Sequence, residues 1–360
     1  MAPLLHTKRK AEDDLQAHLA QRSHRDCVDQ PSVVGRIAEE GSLNFIIRNN
    51  DPRRLYVRPI AWTSEHLQLL DCKFVFENVI LDREVKQAST IGGKDSSSSQ
   101  PMRLGLSPYA NHVKTNLLER TEPEIKTCLC QSILEAYNIH PQGSKYLPFR
   151  FNLRKIAQLP TEGVFASGAG PSSLAYISFE TIQDIRYHHF RRVKGAAHPF
   201  TAKVRQRLWD IESPHLARDP YLVAILIALA QGQKRDQQRR GGDTDKTKHV
   251  ALSETSRLSC QTLESKCQGI IQSFKVQVLA VYGATAQHFY VYTAIISAEF
   301  LDKFDKPWQC SSECPVVVEY HRIPVREELS LEMLHRILCP GSCEFCTGKD
   351  PLNRCRSREP

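Results

Sequence analysis

The stretch "HRILCPGSCEFCTGKDPLNRC", residues 335–355, gathers four cysteines and a histidine into a span short enough to surround one metal ion. Zinc takes four ligands in a tetrahedron, typically from short-spaced pairs. Cys343 and Cys346, two residues apart, can wrap one ion, with Gly348 allowing the tight turn, and Cys339 and Cys355 complete a four-thiolate set. His335 is able to replace one of them, because it stands four residues before Cys339 and shares a helix face with it. Cys310 and Cys314, in "CSSEC", form a further pair. Such a zinc is expected to be structural, since no adjacent Glu stands out as a general base. Only one C-x2-C unit is present, so a thiol-rich end without metal is the competing expectation.

A second chemistry is offered by "IRYHHFRRVKGAAHPFTAKVRQRLW", Ile185 to Trp209, which contains no acidic residue. Arg186, Arg191, Arg192, Lys194, Lys203, Arg205 and Arg207 supply cations, with His188, His189 and His198 among them and Tyr187, Phe190 and Trp209 interleaved. Cations that neutralise phosphates and aromatic planes that stack on bases suit a nucleic acid. The same charges suit an acidic protein surface equally well, and no RRM, KH or zinc-finger spacing favours the nucleic acid. The leading expectation is therefore a protein-interaction or scaffold module, with a nucleic-acid-binding regulator as the alternative.

Catalysis is the weaker expectation. No G-x-S-x-G, H-E-x-x-H or kinase signature occurs. The glycines of "GVFASGAGPSSLAYISFETI" match neither the dinucleotide fingerprint nor the phosphate loop, and flanking apolar runs predict a hairpin there. A metal-dependent nuclease core is a third reading, but it needs clustered carboxylates; the hairpin from Phe274 to Ser297 has none and the next strand has only Glu319. The adjacent His188 and His189 would point to opposite faces if they lay in a strand.

The elements that position these residues read as an α+β fold with an antiparallel sheet. "LNFIIR" and "RLYVRPIAW" predict strands broken by the turn "NNDPRR", and "CKFVFENVIL" predicts a third. "EPEIKTCLCQSILEAYNI" predicts a helix with Ile125, Leu129, Ile133 and Leu134 on one stripe and Cys128 and Cys130 on different faces. "FTAKVRQRLWDI" predicts another. In "RDPYLVAILIALAQ", Asp219 serves as N-cap, Pro220 suits the first turn, and the all-apolar run predicts a central, buried helix. "FKVQVLAVYG" and "HFYVYTAIIS" alternate in period two around "ATAQ", giving a hairpin; "PVVVEYHRIPV" is a further strand and "REELSLEMLHRIL" a terminal helix. The segments "RDPYLVAILIALAQ", "HFYVYTAIISAEFLDKF" and "VVVEYHRIPV", in the second half of the chain, are similar to uncharacterised intracellular fungal proteins of no assigned activity. That resemblance implies an intracellular setting and transfers no functional residue.

The expected organisation is a disordered arm over 1–40, an α+β region over 41–230 with a disordered loop at 86–101, a basic flexible linker over 231–250, a helix-hairpin-strand-helix part of the core over 251–338 and a cysteine-rich tail over 339–360. The 360 residues carry a net charge of +8 and twelve cysteines, and no apolar run reaches the ~20 residues of a membrane span. With no signal-like apolar start, the thiols are expected to be reduced and the protein intracellular, in cytoplasm or nucleus, with "KRK" at Lys8–Lys10 as a short import patch.

Overall fold

The computed structural model describes residues 37–77, 108–119, 122–168, 170–192, 215–248, 272–282, 286–311, 314–327 and 329–340. The fold belongs to the unit running from Glu39 to Pro360. Nearly all of the expected arm 1–40, the loop 86–101 and the expected helix 200–211 lie outside the described residues. The Glu39 N–H donates to the Trp308 carbonyl at 2.9 Å.

The chain is α+β, built on a seven-stranded sheet in the order β1-β9-β8-β7-β6-β5-β2. The strands are β1 (Cys72–Phe76), β2 (Ile139–Pro141), β5 (Gly163–Ser167), β6 (Leu174–Ser178), β7 (Ser273–Val281), β8 (His288–Ser297) and β9 (Val316–Pro324). The sheet is mixed rather than purely antiparallel, because β1 runs parallel to β9 and β6 parallel to β7. The expected hairpins β5–β6 and β7–β8 are present, and β9 pairs antiparallel with β8. A separate two-stranded hairpin joins β3 (Tyr146–Phe151) to β4 (Arg154–Pro160).

Two apolar layers cover the sheet. Phe274, Val276 and Val278 of β7 and Tyr292, Ala294 and Ile296 of β8 face the first; Leu279, Val281, Phe289 and Val291 face the second. The first layer is organised by α7 (Pro220–Lys248), in which Tyr221 to Ala230 are all 1% exposed or less. Its large aliphatic side chains contribute ~1.5–3 kcal/mol each, which is why a helix apolar on every side sits at the centre. The second layer is closed by α4 (Pro108–Glu119), α5 (Pro123–Ala136) and α9 (Ser330–Leu338). Within α5, Cys130 is buried and Cys128 exposed, as their spacing requires.

Three expectations are corrected. "LNFIIR" is the helix α1 (Leu43–Asn49): Ser42 Oγ accepts the Phe45 N–H at 3.3 Å, and Leu43, Ile46 and Ile47 form an i, i+3, i+4 stripe. "RLYVRPIAW" is also not a strand. It holds the end of a single turn, α2 (Pro52–Leu55), and a 3-10 turn (Pro59–Ala61), since Pro59 has no N–H for a ladder and starts a turn instead. The supposed linker after residue 230 continues α7 to Lys248. Gln231 grips both main-chain groups of Arg150 at 2.9 Å, and Lys234 bonds Asp302 and Asp305 at 2.5 and 2.7 Å. Those two carboxylates belong to α8 (Ala298–Asp305).

Candidate functional site: a cleft with an apolar side pocket

Helix α6 (Phe179–Arg192) forms one wall of a broad concavity among the described residues. It starts at Ser178, whose Oγ accepts the Thr181 N–H at 3.2 Å. Glu162 Oε1 lies 2.8 Å from Ser178 Oγ and 2.5 Å from Thr181 Oγ1, and burial pushes the Glu162 carboxyl above its ordinary value. The inward stripe of α6 is Phe179, Ile182, Arg186 and Phe190. Spacing of three and four residues leaves Asp184, Ile185, His188 and His189 on the neighbouring face, where they line the cleft.

Arg186 is a structural residue and not part of a basic surface. Its guanidinium makes two bonds to Asp219, at 2.6 and 2.7 Å, with both side chains 3% exposed. Its Nε donates to the Ile60 carbonyl at 3.1 Å, and Asp219 also accepts the Tyr221 N–H at 2.8 Å as N-cap of α7. One ion pair thus ties α6, the 3-10 turn and α7 together behind the cleft. In the sequence Arg186 stands among the cations of a stretch without acidic residues, and its partner Asp219 lies beyond the end of that stretch.

The cleft encloses about 1200 Å³ between α6, strand β4 and residues 57–60. Arg58 and Lys155 project from the two walls facing α6; both are exposed, and neither is paired with a carboxylate among the described residues. Asp184 is the acidic group of the lining. His189 is held below its usual range, first by burial and then by the Arg58 charge, so it is neutral at pH 7. Neither His188 nor His189 has a side-chain hydrogen-bond partner among the described residues, so no nucleophile–base pair is assembled from them.

A second cavity of about 200 Å³ opens beside the first and shares Val57, Arg58 and Ile156 with it. Its wall is aromatic: Trp62 meets Phe149 edge-on at 5.4 Å, Tyr56 meets Phe151 at 6.1 Å, and Phe304 closes on Phe149 at 5.7 Å. Trp62 stacks on His66 of the short helix α3 (Ser64–Leu69), with centroids 5.7 Å apart. His66 Nδ1 accepts the Thr63 N–H at 3.0 Å, which assigns the proton to Nε2 in the neutral ring. Burial, the largest influence, pulls His66 below its usual range; the Leu55 and Arg54 carbonyls oppose this, yet neither forms a hydrogen bond with Nε2. His66 is therefore uncharged at neutral pH, so the charge in the pocket lining is that of Arg58 where it joins the cleft, and the rim is wet: Tyr56 is 61% exposed and Ile156 38%.

The remaining expected residues fall elsewhere. Arg191 is exposed on α6 and Arg192 ends that helix. Lys194, Lys203, Arg205, Arg207, Cys343, Cys346 and Cys355 lie outside the described residues. Cys339 caps the C-terminus of α9, half-buried, its N–H donating to the His335 carbonyl at 2.8 Å. His335 is buried with its ring 4.9 Å from Tyr137, and burial lowers its pKa. Glu319 stands exposed on β9, paired in register with Thr293 and Val75. Among the described residues no group of three or more His, Cys, Asp or Glu is placed to hold a metal ion.

Arg58, Lys155 and Trp62 were missed because "RLYVRPIAW" and "RKIAQLP" carry no motif; only the hairpin and the 3-10 turn bring them to one place. No protein-family model, curated protein or solved structure matches the chain.

Proposed function

We propose that this protein is a non-catalytic interaction module whose cleft receives an acidic surface of another protein. The observation that carries the reading is the unpaired Arg58 at the junction of both cavities, flanked by exposed Tyr56 and Ile156 and faced by Lys155. Tyrosine, tryptophan and arginine beside a desolvated pocket are the side chains that dominate binding energy at protein interfaces. Leu153 adds to the picture: it is 65% exposed at the tip of the β3–β4 hairpin with φ +61°, where Gly or Asn would fit without strain.

The nucleic-acid alternative loses one of its supports. Phe190, one of the rings that would stack on bases, is 8% exposed and packs on Ala61. No helix among the described residues is long and apolar enough to cross a membrane. We place the module inside the cell on the strength of its free thiols, Cys72, Cys128 and Cys130 among them, and we retain one structural zinc on Cys339, Cys343, Cys346 and Cys355 as part of the proposal.

The test is selection of a random dodecapeptide display library on the full chain, with the Arg58→Glu/Lys155→Glu variant as counter-selection. Enrichment of Asp- and Glu-rich peptides that the variant rejects is the expected result. An unenriched library overturns the reading. Tight binding of a generic oligonucleotide that falls steeply between 50 and 300 mM salt would replace it with the nucleic-acid alternative.

A further inference from the structure

We infer that the acidic partner inserts one large uncharged side chain, aromatic or leucine, into the 200 Å³ pocket beside Arg58, so that recognition couples an anchor to a neighbouring carboxylate. This rests on the interaction reading above and adds what it leaves open, the shape of the ligand. The pocket is too small for a drug-sized molecule, whose cavities run ~300–1,000 Å³, and its volume is that of a single bulky side chain. Its walls are Leu43, Ile46, Ile47, Trp62 and Phe149, with His66 held neutral by burial, and its one cationic lining residue, Arg58, is shared with the cleft, so the interior suits an uncharged side chain and the junction a carboxylate. Continuity decides between a free apolar ligand and an anchored chain: Val57, Arg58 and Ile156 belong to both cavities, so whatever fills the pocket emerges directly into the cleft. There it meets Arg58 on one side and Lys155 on the other, both unpaired among the described residues. A segment with an apolar residue followed within a few positions by Asp or Glu satisfies both cavities at once.

The experiment takes the peptides recovered on the full chain and measures each by fluorescence anisotropy against its counterpart with the shared apolar residue changed to Gly. Loss of affinity by at least ~10-fold is expected, as for an interface anchor. Ile47→Trp, which enlarges a side chain of the pocket wall from α1, should weaken the parent peptide by a similar factor and leave the Gly peptide unchanged. If Ile47→Trp lowers the melting temperature, Leu43→Phe from the same helix replaces it, and the peptide-side comparison stands regardless of either. Acidic peptides without a shared apolar residue, or equal affinity of parent and Gly peptide, overturn the anchor and leave the interaction reading intact. Apolar peptides without acidic residues, insensitive to Arg58→Glu, overturn the coupling. A library that yields no binder sinks both.

Discussion

Replacing Arg186 by Met should unfold this protein far more readily than it should disturb any partner, and the geometry sets the size of the effect. The substitution removes two charge-assisted bonds to Asp219, of 2.6 and 2.7 Å, and the Nε–H bond to Ile60. It leaves the Asp219 carboxylate 3% exposed with the Tyr221 N–H as its remaining donor among the described residues. Breaking one side of a buried pair costs ~3–5 kcal/mol, mainly because the surviving charge stays buried. Asp219→Asn keeps an oxygen for the Tyr221 N–H but strands the guanidinium, at a cost of the same order. The double variant Arg186→Met/Asp219→Asn leaves no buried charge, so it should recover ~2–3 kcal/mol relative to the sum of the singles. Urea unfolding of the four proteins, followed by circular dichroism with the slope checked for constancy, measures the cycle. A loss under ~1 kcal/mol for Arg186→Met, or additive singles, would refute the reasoning and return Arg186 to the surface.

Glu162→Gln should raise the melting temperature at pH 7–8 and leave it unchanged near pH 4. Burial pushes the Glu162 carboxyl above its ordinary value of 4.5, so its contribution to folding is complete below that pH and is lost as pH rises through the folded value. A melting curve series that moves equally at all pH values contradicts this. Leu153→Gly creates an Asn-Gly turn where both residues have positive φ and should stabilise by about 0.5–1 kcal/mol while weakening a selected peptide; a destabilised variant would show the strain argument wrong. Limited trypsinolysis should spare Lys234 and Arg235, because Lys234 is clamped by Asp302 and Asp305, and Lys234→Met, which removes the first of these cleavage points, should expose the second at Arg235. Elemental analysis should find about one zinc per chain, lost when the chain is truncated after Leu338; no metal in the full chain removes zinc from the proposal.

What the sequence reveals depends on how local the cause is. Alternation in "FKVQVLAV" and "HFYVYTAI" is a property of ten residues at a time, and it identified the β7–β8 hairpin; Asp219 and Pro220 announced the start of α7 just as locally. "LNFIIR" is too short for either period to dominate, and a serine just before it, Ser42, decided the outcome by capping. The extension of α7 past Ala230 was hidden because Gln231 and Lys234 look like solvent residues until Arg150, Asp302 and Asp305 arrive from distant segments. The cleft was hidden for the same reason: Arg58 and His189, with Lys155 between them, stand 131 positions apart, and none belongs to a motif. Arg186 stood in the right segment and in the wrong role, since one helix face separates a ligand-facing arginine from a buried one.

The parallel pairing of β1 with β9, Cys72 opposite Val316, has a consequence for how the protein is made. A ribosome delivering ~5–20 residues per second completes β1 on the order of tens of seconds before β9 exists. During that interval β1 has no partner along its β9 edge, and the sheet can grow only from the β5–β6 and β7–β8 hairpins outward. A nascent chain stalled before residue 316 therefore carries two unsatisfied strand edges, on β1 and β8, each a template for pairing with a neighbouring polypeptide. Premature stop codons ahead of β9 should yield insoluble product, whereas loss of the tail beyond Leu338 should leave a soluble one.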